Sequence, residues 1–219
     1  MESEKRIKAM ESEKNRTGLG TWTLICGILS ILFYVLHDAI GAMHYPGYNW
    51  MARAVSDLTA TDAPSFIVAS GYVTVYKIFN CVCTAFLFVM VGKERKVFKI
   101  GVYLFALMNG ISAVGYALFP LSGSGYDGSP QSFIHVYVIT VLVVVLSIIS
   151  LILIAIGSFK DKKTWLGILS IAAFACMFFG VVGQAKLPKE IFGVIERFST
   201  YSAVVFTGVL GLYGFLRER

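Results

Sequence analysis

Six long apolar stretches limit what this chain can fold into more than any other feature of its sequence. Each could cross a hydrocarbon core of about 30 Å as a single helix. Because 57% of all residues are hydrophobic and only 15% are charged, one soluble core could not bury so many apolar side chains. The sequence therefore predicts an all-α integral membrane protein with six transmembrane helices. The stretches are Gly18–Met43, Phe66–Val91, Val97–Phe119, Phe133–Phe159, Trp165–Val182 and Val194–Leu216.

The basic residues predict how these helices are oriented. Fourteen of the nineteen lysines and arginines lie before the first stretch, around the loops after the second and fourth stretches, or at the C-terminus. By the positive-inside rule both termini are then cytoplasmic, as an even number of helices also requires. We expect a multi-pass plasma-membrane protein with a cytoplasmic segment over residues 1–17, one transmembrane domain over residues 18–216 and a cytoplasmic tail over residues 217–219. The net charge of +6 fits attraction to anionic lipid and predicts no nucleic-acid partner.

Three histidines are predicted to share the outer face of this bundle. His37 and His44 are two helical turns apart and therefore lie on one side of the first helix, while His135 begins the fourth helix at the same face. Asp38 follows His37 within the span, where an unpaired carboxylate is costly, so the pair is a candidate functional site. His44 stands beside Tyr45 at the helix end and has an equally simple interpretation as an interfacial residue.

The outer loop after the first helix contains further polar candidates. Residues 49–58 have the pattern of a short amphipathic helix lying on the membrane surface, with Asn49 as its cap. Arg53 and Asp57 are four residues apart and could form an ion pair on that helix. Ser56 and Asp57 are expected to face the mouth of the bundle and to add a hydroxyl and a carboxylate to the histidines.

The remaining outer segments are a glycine-rich loop and a helix end. The loop from Pro120 to Pro130 precedes His135 and lacks the spacing of a phosphate-binding loop, so we expect a flexible lid. Glu196 and Arg197 lie at the outer end of the last helix, where they could simply anchor it.

One charged residue falls in the middle of a span. Lys77 is eleven residues into the second stretch, and Asn80 lies one turn further on the same side. A lysine near the midplane must be paired, neutral or able to reach the interface. It could contact a substrate or form a polar clamp between helices, with Asn109 and Ser112 as hydrogen-bond acceptors.

The loop motif resembles one known family. Tyr45–Asn49, Arg53–Leu58, Phe119–Pro120 and the glycine loop with His135 are similar to an uncharacterised prokaryotic family of polytopic membrane proteins, domain of unknown function nine-nine-eight. The resemblance covers most of the chain, from about Gly20 to Leu216. It implies a multi-helix membrane protein without an assigned activity. The motif residues of the family correspond here to Asn49, Ser56, Asp57 and His135.

The first hypothesis for function is a zinc-dependent hydrolase acting on a lipid-like amide or ester. His37, His135 and either His44 or Asp38 would hold zinc and leave one position for a water molecule. Asp57 or Asp38 would then act as the base. The candidate catalytic residues are Asp57, Ser56 and Asp38, and the candidate metal ligands are His37, His135 and His44.

The alternative is a protein that binds or transports a small molecule or lipid. In that case the histidines and Asp38 titrate in an outer vestibule, and Lys77 lies on the path of the ligand. The candidate ligand-binding residues are Lys77, Asn80, Asn49 and Arg53. Haem ligation by His37 and His135 is a weaker possibility, because the inner face offers no histidines for transmembrane electron transfer. The sequence predicts contact with the lipid bilayer and leaves the oligomeric state open.

Overall fold

The computed structural model describes the backbone of residues 2–123 and 125–219, and the side chains of Glu4 and of residues 18–123 and 125–219. In this part of the chain, six helices are long and apolar enough to cross a membrane, which confirms the predicted fold class. The helices are α1 (Glu2–Met43), α2 (Phe66–Met90), α3 (Lys96–Leu118), α4 (Pro130–Lys160), α5 (Thr164–Lys186) and α6 (Phe192–Arg217).

The six helices form a closed bundle in which neighbours in sequence are neighbours in space. Each helix from α1 to α5 packs on the next one, and α6 packs on both α5 and α1. Helix α6 also contacts α2, so it is the most central of the six. The helix ends lie within a few residues of the predicted stretches, except that the backbone of α1 is already helical from Glu2.

Close packing of α1 against α6 depends on small residues. A Cβ atom on Gly27 would lie 3.1 Å from the Cα of Gly208, and one on Gly211 would lie 2.9 Å from the carbonyl oxygen of Thr23. Within a bilayer the hydrophobic effect does not drive helices together, so close approach of their backbones is a principal source of packing energy. This contact holds α1 in place and so positions the residues near its far end.

A hydrogen-bond network crosses the middle of the bundle. The Asn80 amide donates to Asn109 Oδ1 at 2.6 Å, and the Thr207 hydroxyl donates to Asn80 Oδ1 at 2.8 Å. Asn109 also donates to the backbone carbonyl of Phe105 at 2.9 Å. These contacts join α2, α3 and α6, and Asn109 is therefore a partner of Asn80 rather than of Lys77.

Both chain termini lie at one end of the bundle, since the backbone amide of Gly20 donates to Glu218 Oε2 at 2.6 Å. We call this the terminal end. An ion cluster centres there on Glu94, which accepts hydrogen bonds from Lys163 Nζ at 2.5 Å and from the Tyr213 hydroxyl at 2.9 Å. Arg217 Nε lies 2.8 Å from the same carboxylate. The cluster connects the ends of α4, α5 and α6 to the short loop after α2.

The opposite end, which we call the distal end, carries the loops over residues 44–65, 119–123, 125–129 and 187–191. In place of the amphipathic helix predicted for residues 49–58, the chain makes turns as far as Arg53 and then a 3₁₀-helix over Val55–Thr59. Val55 and Leu58 are fully buried against α1, α2 and α6. The second half of this segment thus packs into the bundle, while Trp50 and Met51 in its first half stay exposed.

Candidate functional site

The most polar arrangement inside the distal half is an ion pair between α1 and α6. Arg197 Nη2 and Nε donate to the two carboxylate oxygens of Asp38 at 2.6 and 2.8 Å, in the bidentate geometry that suits a guanidinium. The Tyr201 hydroxyl adds a third hydrogen bond to Asp38 at 3.0 Å. Asp38 therefore lies in the span fully paired, which removes most of the cost of placing a carboxylate there.

The remaining donors of Arg197 hold the loop that follows α1. Arg197 Nη1 donates to the backbone carbonyls of Trp50, Arg53 and Gly193 at 2.8, 3.2 and 2.9 Å. Arg197 Nη2 also donates to the Tyr48 hydroxyl at 3.0 Å. Every donor group of the guanidinium is thus used, and Arg197 is a positioning residue for the loop rather than a simple helix anchor.

Tyr48 extends this contact along the same loop. Its hydroxyl donates to the carbonyl of Ala54 at 2.7 Å while it accepts from Arg197. Burial raises the pKa of Tyr48 to about 12, against the lowering effect of the neighbouring Arg197 charge. The hydroxyl therefore stays protonated at physiological pH and keeps donating.

His37 lies on α1 next to Asp38 but faces α2. Its side chain is only 2% exposed, and Nδ1 lies 3.1 Å from the carbonyl oxygen of Ala69. A carbonyl only accepts hydrogen bonds, so Nδ1 carries the proton. Among the residues that the structure describes, none contacts the other ring nitrogen, Nε2, by a hydrogen bond.

His135 is held in the same way on α4. Its Nδ1 lies 2.7 Å from the carbonyl oxygen of Phe119, and the Tyr116 ring packs against the imidazole at 4.6 Å between ring centres. The residue lies in a π-helical segment, Ile134–Ile139, where the backbone amide of Thr140 bonds to the His135 carbonyl five residues earlier. Its Nε2 likewise has no hydrogen-bond partner in the described part of the chain.

His44 does not join these two residues. It is exposed at the end of α1, where Nδ1 lies 2.9 Å from the carbonyl oxygen of Ile40. No three His, Cys, Asp or Glu side chains among the described residues are close enough together to hold a metal ion. Zinc binding by His37, His135 and His44 stays a prediction.

The polar residues of the 49–58 segment stabilise the loop. Asp57 is buried and accepts a hydrogen bond from the backbone amide of Gly125 at 3.1 Å, which ties the 3₁₀-helix to the glycine-rich loop. Arg53 donates to the Tyr45 hydroxyl at 2.6 Å instead of pairing with Asp57. Asn49 accepts from the amide of Met51 at 3.1 Å, and Ser56 is partly buried beside them. Catalytic roles for Asp57 and Ser56 stay predictions.

Lys77 differs from Asp38 and Arg197, which pair with each other, because none of the described residues compensates its charge. Its side chain is partly buried within α2, and no described residue accepts a hydrogen bond from it or forms an ion pair with it. Asn80, the other predicted ligand contact on α2, is occupied by Asn109 and Thr207.

A cleft of about 660 Å³ runs along α6 between α1 and α5. Asp38, Trp50, Arg197 and Tyr201 form its polar distal end, and apolar side chains of α5 and α6 form the rest. Lys77 does not line it. The apolar lining is Leu169, Ala172, Ala173, Cys176, Val194, Phe198, Val205, Phe206 and Val209, with Ser202 between them. The sequence offered no signal for this cleft, because its walls look like any apolar helix.

Comparison with known proteins gives a family but no activity. A family profile described as protein of unknown function (DUF998) matches residues 28–213, which confirms the resemblance of the loop motif. The chain belongs to this family. No curated protein and no solved structure matches it. DUF998 membership supports a polytopic membrane protein, and the chemistry of the site must be argued from the geometry.

Proposed function

We propose that the protein binds an amphipathic, lipid-like molecule in the cleft between α1 and α5. One observation carries this proposal: the cleft has long apolar walls and a single polar end. Its volume of about 660 Å³ falls within the range of small-molecule pockets, roughly 300–1,000 Å³. An apolar chain would lie against α5 and α6, and its polar group would meet Asp38 and Tyr201.

The shape of the cleft favours a lipid-like ligand over a compact polar one. From Val194 to Val209 the lining extends along fifteen residues of α6, about 22 Å at the helical rise. Leu169, Phe198 and Val205 are each about two-fifths exposed, so the cleft opens sideways between the helices. In a bilayer that opening faces hydrocarbon, from which an acyl chain could enter without crossing water.

The polar end is matched to a lipid headgroup. Trp50 is half exposed beside Asp38 and Arg197, and tryptophan is enriched where membrane meets water. Since the basic residues favour cytoplasmic termini, the distal end would face outward. The ligand would therefore come from the outer leaflet or the outer solution.

Cys176 makes the proposal testable, because its thiol lies in the cleft lining while Cys26 and Cys83 are buried. We expect a single-chain phospholipid to slow modification of Cys176 by a membrane-permeant maleimide in nanodiscs. Cys81 on α2 lies outside the cleft and serves as the internal reference. Equal protection of both thiols would contradict the proposal.

A matched pair of variants tests the same cleft by steric filling. Ala172 is exposed on the cleft wall, and Ala172→Phe should abolish protection of Cys176 by occupying the space of the chain. Ala117 is an exposed alanine on α3, away from the cleft, so Ala117→Phe should leave protection unchanged. Loss of protection in both variants, or in neither, would count against binding in the cleft.

The zinc hydrolase is the second candidate, and one observation favours it. In His37 and His135 the Nδ1 atoms bond to backbone carbonyls, as in many metal-binding histidines, which leaves Nε2 available for a metal. Elemental analysis of the purified protein tests this function. Stoichiometric zinc that disappears in His37→Ala and His135→Ala would support it, and absence of zinc from the native protein would contradict it.

A further inference from the structure

The polar end of the cleft uses its strongest hydrogen-bond donors within the protein. Arg197 gives every N–H of its guanidinium to Asp38, to Tyr48 or to backbone carbonyls. The Tyr201 hydroxyl donates its proton to Asp38 at 3.0 Å. A ligand at this end could therefore accept a hydrogen bond from Arg197 or Tyr201 only by breaking a contact within the protein.

The same residues can still accept hydrogen bonds. A carboxylate has about four acceptor sites, and the described residues fill three of those on Asp38. In the described part of the chain, nothing donates to the Tyr201 hydroxyl oxygen. Ser202, further along the cleft, donates to the carbonyl of Ser199 at 2.7 Å and also keeps its lone pairs. The polar side chains of the cleft thus offer a ligand mainly acceptors.

The charges at the polar end balance each other. Asp38 and Arg197 both line the cleft, and their ion pair has an N–O distance of 2.6 Å. A charged headgroup here would lose water without meeting an uncompensated opposite charge, which is costly. Trp50 can add one neutral donor, its indole N–H. Hydrogen bonding, rather than net charge, should therefore decide which headgroup fits.

We infer that the cleft selects a ligand that presents an uncharged hydroxyl to Asp38 and Tyr201, such as a long-chain alcohol or a monoacylglycerol. This inference rests on the proposed binding in the cleft and adds the chemical class of the ligand. The hydroxyl would donate to the carboxylate of Asp38 or to the oxygen of Tyr201. A single-chain phospholipid meets the same requirement through the free hydroxyl of its glycerol.

Three probes with the same alkyl chain test the headgroup. Hexadecanol donates a hydrogen bond, its methyl ether accepts but cannot donate, and hexadecyl sulfate is a permanent anion without a donor. Each is added to the native protein in nanodiscs, and protection of Cys176 from a maleimide is compared with that of Cys81 at equal probe content of the bilayer. The ether and the sulfate should need at least about tenfold more probe for half-maximal protection, because a hydrogen bond to a charged acceptor is lost.

The outcomes separate this inference from the proposed function. Equal protection of Cys176 by hexadecanol and its methyl ether would overturn the inference and leave binding in the cleft intact. Protection by the sulfate at or below the concentration of the alcohol would also overturn it. Failure of all three probes to protect Cys176 would contradict lipid binding in the cleft and the inference with it.

A matched pair of variants tests Asp38 as the acceptor. Asp38→Asn replaces one carboxylate oxygen by an amide that donates, so the preference for the alcohol over the ether should fall from about tenfold to about threefold. Asp62 is exposed on the distal loop outside the cleft, and Asp62→Asn should keep the full preference. An undiminished preference in Asp38→Asn would overturn the assignment of Asp38. The probe series uses the native protein and decides the inference by itself if Asp38→Asn fails to fold.

Discussion

The two ends of the bundle each hold a charged cluster, but the central residue of one cluster is an anion and that of the other is a cation. At the terminal end a carboxylate, Glu94, lies among Lys163, Arg217 and the Tyr213 hydroxyl. At the distal end a guanidinium, Arg197, lies among one carboxylate, a tyrosine and three backbone carbonyls. The central carboxylate accepts hydrogen bonds, and here it joins donor side chains at helix ends. The central guanidinium donates hydrogen bonds, so it can also order an irregular loop by binding backbone carbonyls.

The clusters also differ in what remains after one cation is lost. The two carboxylates are equally buried, with 13% of the Asp38 side chain and 12% of the Glu94 side chain exposed. Without Arg217, Glu94 keeps Lys163 and the Tyr213 hydroxyl, whereas without Arg197, Asp38 keeps the Tyr201 hydroxyl and no cation among the described residues. A buried carboxylate without a cation is costly. The distal cluster should therefore be the more sensitive of the two.

The largest expected effect is the loss of Arg197. Arg197→Ala should lower the free energy of unfolding by about 3–5 kcal/mol, because Asp38 and the loop carbonyls of Trp50 and Arg53 lose the guanidinium as a donor. Arg217→Ala should cost about 1 kcal/mol, since its carboxylate partner keeps other donors. Unfolding in mixed micelles measures both. Equal losses would remove the distinction between the two ends.

Substitution of Gly193, one helical turn before Arg197, should disturb the same loop with a smaller loss in the free energy of unfolding. A Cβ atom on Gly193 would contact the carbonyl oxygens of Arg53 and Trp50 far inside van der Waals distance, so Gly193→Ala must displace the loop. We expect a loss of about 1–3 kcal/mol in the free energy of unfolding.

The control for that substitution is Gly71 on α2, where an added Cβ atom would meet nothing within 4 Å. Gly71→Ala should be neutral or stabilising by up to about 1 kcal/mol, because alanine favours the helix. Destabilisation by both variants would point to a general effect of glycine replacement and not to the loop.

The smallest expected effect concerns pH at the terminal end. Burial alone would raise the pKa of Glu94, but the hydrogen bonds from Lys163 and Tyr213 outweigh it and lower the pKa below its usual value. Such a carboxylate stabilises the folded state above its unfolded pKa and loses that effect as pH falls through its folded pKa. As pH falls from about 5 through the folded pKa, the native protein should lose more of its free energy of unfolding than Glu94→Gln does. Parallel pH profiles would contradict this.

The fold was predictable because the signal for a membrane span is local. Hydropathy over about twenty residues is a property of each stretch alone. All six predicted stretches are helical, with shifts of a few residues at their ends except at the start of α1, which is already helical from Glu2. The segment over residues 49–58 shows the limit of that signal. Its apolar positions Val55 and Leu58 are buried, but sequence cannot tell whether an apolar face meets lipid or other helices.

The distal site was only partly predictable because its contacts are distant in sequence. His37, Asp38 and Lys77 stood out singly, as polar residues in apolar stretches. The partner of Asp38 lies 159 residues away, and Arg197 had a sufficient local interpretation as a helix anchor. Nothing in the separate sequences of α1, α5 and α6 indicates that a cleft lies between them.

The π-helical segment of α4 makes the position of His135 depend on how the backbone is wound. A π turn holds about one more residue than an α turn, so Ile134–Ile139 accommodates a residue that would shift the register of a regular helix. If the same residues formed a regular helix, the part before the segment would be rotated by about 100° relative to the rest. The ring would then leave the carbonyl of Phe119 although every side chain near it were kept. The backbone of this segment therefore sets the position of the imidazole together with the side chains that surround it.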